Sequence, residues 1–263
     1  MRVIACVLVL AFATTTPTLA AEPAALARAR TLYNAADYDG AIVAASEARR
    51  QPEAADAAAL VLARSYLERY RQRADPSDLA AAREALQAVN HDSLARRDRV
   101  DMLVGLGQSL FLSESYGAAA ELFDAALVQS AALPRRGRLL LLDWWASAID
   151  REAQSRPPEG RAPLFDRIVT RMEDELRADP GSAPASYWLT VATRGSGELE
   201  RSWDAAVAGW VRASLDTETT ASLRADLDRF VTKALIPERA RQRPSGSPDA
   251  MRSEWELIKT QWQ

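Results

Sequence analysis

One spacing of small and aromatic residues recurs along the first half of this chain and limits the folds open to it. Ala29, Tyr38, Ala41 and Ala48 hold the same relative positions as Gly107, Tyr116, Ala119 and Ala126, and the later copy adds Phe123. A looser copy runs through Ala63, Tyr66, Leu79, Ala82 and Leu86. Ala29 and Ala63 are 34 residues apart, and Ala63 and Gly107 are 44 apart, with the surplus in the polar stretch 69–77. A period of this length marks an array in which each unit buries one face against the next. Ala, the best helix former, dominates the composition, and no run of alternating β-branched residues stands between turn signals. The chain is therefore expected to be all-α.

The second half carries the pattern more weakly. Residues 144–149 read as a first helix with Ala146 at the small position, and 162–178 as its partner across a loop at 155–160. Asp179-Pro180-Gly181 closes that unit. A fifth pair runs through Tyr187, Trp188 and Ala192, turns at 194–197, and returns through Trp203, Ala206, Trp210 and Ala213. Helical periodicity continues through Leu223, Leu227, Phe230 and Val231. A polar linker at 241–247 precedes a last helix, which Ser247, Pro248 and Asp249 start as N-cap, first-turn proline and first-turn acid. Met251, Trp255, Ile258 and Trp262 share one face of it.

The frame of residues 101–127 resembles a tetratricopeptide repeat. In that family a small residue on the first helix admits the second helix, which opens with Tyr and crosses at Ala. The resemblance is clear over about 24–130 and degenerate over about 138–214. It implies a right-handed superhelical array of antiparallel helix pairs, a tetratricopeptide-like α-solenoid. The expected organisation is a signal peptide at 1–20, repeats at 21–132, degenerate pairs at 133–215 and a C-terminal helical cap at 216–263. Gly107 and Ala119 are expected to face each other. The family frame also places Arg30, Tyr33, Asn34, Arg64, Leu67, Gln108 and Phe111 on a concave groove that holds a protein or peptide. Its arginines and apolar positions suit an acidic or C-terminal segment.

The first twenty residues read as an export signal. Arg2 precedes an uncharged apolar run at 3–13, and small residues follow around Ala20 and Ala21. Eleven apolar residues are too few to span a bilayer, which takes about 20. A periplasmic or secreted bacterial protein with no stable membrane span after cleavage is expected. The single cysteine, Cys6, lies in the signal, so the mature chain has none. The formal charge of −3 shows no basic excess, which argues against nucleic acid. Lys is nearly absent and Arg carries the positive charge, which reads as genome composition.

Little in the chain points to catalysis, a metal or a cofactor. His91 is the only histidine and falls between two expected helices, which reads as a solvated loop position. Glu173-Asp174-Glu175 and the group Asp143, Asp150 and Glu152 concentrate carboxylates, yet adjacent residues on a helix point apart. The leading expectation is a non-catalytic exported scaffold or adaptor. The alternative is a protein that binds or cleaves envelope polysaccharide, using carboxylates and the tryptophans. All 7 tryptophans lie in the second half, either as core or as an aromatic surface.

Overall fold

A computed structural model describes residues 22–215, 220–242 and 247–262. The expected export signal and its cleavage site lie outside these residues, as does 243–246 of the expected linker. All described regular structure is helical, with no strand. The helices are α1 (Ala24–Asn34), α2 (Tyr38–Ala48), α3 (Ala55–Arg73), α4 (Pro76–Gln87), α5 (Arg96–Phe111), α6 (Tyr116–Val128) and α7 (Arg135–Ser155). They continue as α8 (Ala162–Ala178), α9 (Ala183–Gly195), α10 (Leu199–Arg212), α11 (Thr220–Phe230), α12 (Ile236–Gln242) and α13 (Pro248–Gln261). No described helix is long and apolar enough to cross a membrane.

Each helix through α10 packs on the next, and the short connections turn successive helices antiparallel. The odd-numbered helices also touch one another in sequence, from α1 through α3, α5, α7 and α9 to α11. They make one continuous layer, with the even-numbered helices against it. The core follows the chain as linked clusters. One joins α1 to α5, a larger one joins α5 to α9, and a third gathers α10 to α13.

The turn inside a pair is itself repeated. Ala36, Glu114 and Gly197 all take positive φ, at 59°, 61° and 84°, each two residues before the second helix. In all three turns the residue after the positive-φ position donates its N–H five residues back, Asp37 to Leu32, Ser115 to Leu110 and Glu198 to Thr193. This is a Schellman ending, which satisfies carbonyls that the helix leaves free. Ala74, φ 53°, sits at the same place before α4, where Asp75 accepts from Ser77 and Pro76 opens the helix. The fourth pair differs, because its longer loop passes through a short 3-10 turn, Pro158–Gly160.

The structure refines three expectations. The surplus of the second repeat is largely helix, since α3 has 19 residues where α1 has 11. Gly107 faces the ring of Phe123, one turn beyond the fully buried Ala119. The helical periodicity that the sequence shows through Val231 extends further, because α11 passes through a π turn, Val231–Leu235, and runs on as α12 to Gln242. Pro237 explains the π turn. It has no N–H and its ring needs room beside the preceding turn, which the wider turn supplies.

Six of the seven tryptophans are core. Trp144, Trp145, Trp188, Trp203, Trp210 and Trp255 are buried, whereas Trp262 is 53% exposed. Trp255 brings α13 onto the body, edge-on to Trp203 at 5.8 Å and to Trp210 at 5.5 Å. Its indole N–H donates to Asp228 at 2.9 Å, and Lys259 reaches the same carboxylate at 2.7 Å.

Candidate functional site

The layer of odd-numbered helices holds the residues that the repeat frame assigns to a groove, but distributes them unevenly. Arg30, Tyr33 and Asn34 of α1 and Arg64 of α3 line one small cleft that opens to solvent. Leu60 and Val61 form its apolar wall, and Arg97, Asp98 and Asp101 of α5 close it. Leu67 is fully buried and Gln108 is 3% exposed, so neither offers surface to a solute. Phe111 lies further along, edge-on to Tyr116 at 5.2 Å and to Trp144 at 5.1 Å.

The cleft's charges are largely matched from within. Arg30 donates to Asp98 at 2.9 Å and Arg64 to Asp101 at 2.8 Å, so two ion pairs tie α1 and α3 to α5. The Arg64 guanidinium also stacks over the Tyr33 ring, 4.7 Å from its centroid. Burial pushes the Tyr33 phenol above its ordinary range, and Arg64 only partly offsets this. Burial pulls the Arg64 guanidinium down, but Tyr33 and Asp101 outweigh it and hold it above its usual value. Arg97 is exposed and makes no carboxylate contact among the described residues. Sequence reasoning missed Asp98 and Asp101. Their signal is a pair of acids three apart on one helix, facing basic positions of the two helices before it.

A second polar region lies on α7, α9 and α11. Asp143 accepts from the Trp188 indole at 2.7 Å, and Asp150 accepts from Gln154 at 2.6 Å. Burial raises both carboxyls above the usual range, and these hydrogen bonds offset it only in part. Tyr187 lies in the field of both, together with Asp226, and burial followed by these carboxylates raises its phenol. At its edge Arg71 stacks over Trp144 at 4.9 Å.

The remaining candidates are dispersed. Glu173 pairs with Arg201, Asp174 with Arg177 and the buried Glu175 with Arg138, so the run of three acids points three ways. Glu152 accepts from the Gly117 N–H at 3.0 Å, capping the start of α6. His91 sits in a short 3-10 turn, 69% exposed, with Asp92 at 2.8 Å. Among the described residues no three His, Cys, Asp or Glu side chains are grouped to hold a metal ion. Comparison with family models, curated proteins and solved structures gave no significant match. The tetratricopeptide resemblance rests on the residue pattern itself.

Proposed function

We propose that this protein is an exported, non-catalytic helical-repeat scaffold that holds a peptide or a segment of a partner protein along its odd-numbered helices. The pairs would follow the right-handed superhelix of tetratricopeptide-like arrays, with the C-terminal helix capping the last pair. The observation that carries the reading is the continuous layer α1–α3–α5–α7–α9–α11, on which half-buried polar and aromatic side chains cluster at two places. Stacked helix pairs make extended binding surfaces of this kind.

The polysaccharide reading has one feature in its favour, the raised carboxyls of Asp143 and Asp150. They stand seven residues apart on one helix, about 10.5 Å along its axis. Paired carboxylates of glycoside hydrolases are about 5 to 9.5 Å apart and flank the bond between them. Burial of six tryptophans also leaves few aromatic faces for a sugar ring.

Site-specific photocrosslinking in cells tests the scaffold reading. A crosslinker at Asn34 or at Tyr187, on odd-numbered helices, is expected to give adducts. One at the exposed Val43 of α2 or Val128 of α6 is expected to give none. Adducts confined to the even-numbered helices, or none at any position, overturn the reading.

A further inference from the structure

The chain's own ion pairing divides the odd-helix layer into two unlike halves. At the α1–α3–α5 end the cations Arg30 and Arg64 already have Asp98 and Asp101 as partners. An acidic ligand there would have to displace those carboxylates. At the α7–α9–α11 end the imbalance is reversed. Asp143 and Asp150 take their hydrogen bonds from neutral donors, Trp188 and Gln154, with no ion pair among the described residues. Among the described residues Asp226 of α11 pairs with Arg229 of its own helix, at 3.5 Å. Of the nearby cations, Arg71 pairs with Glu68 and Arg194 with Glu238, and the exposed Arg151, which bears on Asp150, forms no ion pair with it.

A second observation concerns the aromatic rings of this face. Arg71 lies over Trp144 at 4.9 Å and Arg194 over Phe230 at 5.7 Å. Tyr187 stands between those rings in the layer, edge-on to Trp188 at 5.4 Å and to Phe230 at 6.1 Å. Among the described residues no guanidinium of the chain lies over Tyr187, although three carboxylates bear on it and Arg229 offsets them only in part. An aromatic face in the field of carboxylates favours a guanidinium, which stacks on the ring and donates to the oxygens. An acidic segment would be repelled. A neutral one would desolvate the carboxylates further without a partner, which is costly.

We propose that the α7–α9–α11 face around Tyr187 docks a basic, arginine-bearing segment of a partner protein, with Asp143 and Asp150 receiving its guanidinium groups. The proposal rests on the scaffold reading and names the chemistry of the partner that reading leaves open.

Fluorescence anisotropy with the full mature chain tests it, using a short labelled peptide of alternating arginine and alanine and its glutamate counterpart. The arginine peptide is expected to bind, and the glutamate peptide is not. The double variant Asp143→Asn, Asp150→Asn keeps side-chain oxygens that can accept from Trp188 and Gln154. It is expected to weaken arginine-peptide binding at least tenfold with unchanged circular dichroism. The variant Glu159→Gln, Asp174→Asn removes equal charge from exposed positions off this layer and is expected to change nothing. Equal losses in the two double variants, or no loss in either, overturn the proposal. Preference for the glutamate peptide, abolished by Arg64→Ala, overturns it while leaving the scaffold reading intact. Binding of neither peptide, joined to an absence of crosslinks from the odd-numbered helices, overturns both.

Discussion

The ring of Phe123 on α6 lies so close over Gly107 on α5 that a Cβ at position 107 would stand 2.5 Å from a ring carbon. Phe165 of α8 and Gly195 of α9 repeat the arrangement, also at 2.5 Å. Glycine here removes a side chain so that an aromatic ring can pack on the neighbouring backbone. Gly105 is different, because a Cβ there comes closest to the end of the Leu86 side chain, at 3.2 Å, with Arg64 Cγ in ordinary contact at 3.8 Å. Gly107→Ala is therefore expected to cost about 1–3 kcal/mol by overpacking. Gly105→Ala should cost less, since the flexible end of Leu86 can yield. Chemical denaturation of the two variants decides it, and equal stabilities would show that the Phe123 ring gives way freely.

The repeated turn offers the opposite kind of change. Ala36 and Glu114 hold left-handed backbone that a Cβ disfavours by about 1–2 kcal/mol. Gly197 occupies the same place without that cost. Glu114→Gly is expected to raise stability by up to about 1 kcal/mol, after the added freedom of glycine in the unfolded chain is subtracted. A lower melting temperature would mean that the Glu114 side chain contributes more than its backbone loses.

Asp143 and Asp228 should respond to pH in opposite senses. Burial opposes the charge on Asp228, but the Lys259 and Trp255 bonds outweigh it and hold its carboxyl below the usual range. Stability from such a group is present above the unfolded value, at about pH 4, and is lost as pH falls through the lower folded value. Acid should thus loosen α13 first, read as a change in tryptophan fluorescence, and Asp228→Asn should remove that step. For Asp143 the folded value is raised, so its contribution is full below the unfolded value and is lost as pH rises through the folded one. Asp143→Asn should raise the melting temperature at neutral pH and leave it unchanged in acid. A variant that melts lower at neutral pH would show that the charge is stabilised by partners stronger than Trp188.

Trp255 is fully buried between Trp203 and Trp210. Trp255→Ala is expected to cost about 3–5 kcal/mol. Deleting residues 247–263 should lower the melting temperature and increase binding of a hydrophobic dye, because the faces of Trp203 and Trp210 lose their cover. Equal stability without these residues would assign α13 to contacts with another molecule.

Arg64 tests the cleft. Its guanidinium bonds Asp101 while stacking on Tyr33, a combination that a lysine ammonium reproduces poorly. Arg64→Lys should lower stability measurably in a denaturant titration, and parity with the parent would show that charge alone suffices there.

The helices were legible in the sequence because their determinants are local. Small residues at fixed spacing, Asp75-Pro76 at the start of α4 and Ser247-Pro248 at the start of α13 act within one or two turns. The apolar stripe of α13 follows from a period of 3.6. Arg30, Tyr33, Asn34 and Arg64 came together because a constant repeat offset places equivalent positions side by side. The sequence alone therefore determined an all-helical chain of paired elements and most of one cleft. Only the tertiary structure decided how the charges on that layer are matched. Arg30 meets Asp98 and Arg64 meets Asp101 across intervals of 68 and 37 residues. Asp143, Tyr187 and Asp226 converge from three helices. Such pairings depend on the rotation of each helix about its axis and its offset along its neighbour. Packing of whole faces sets both, and no local pattern encodes them.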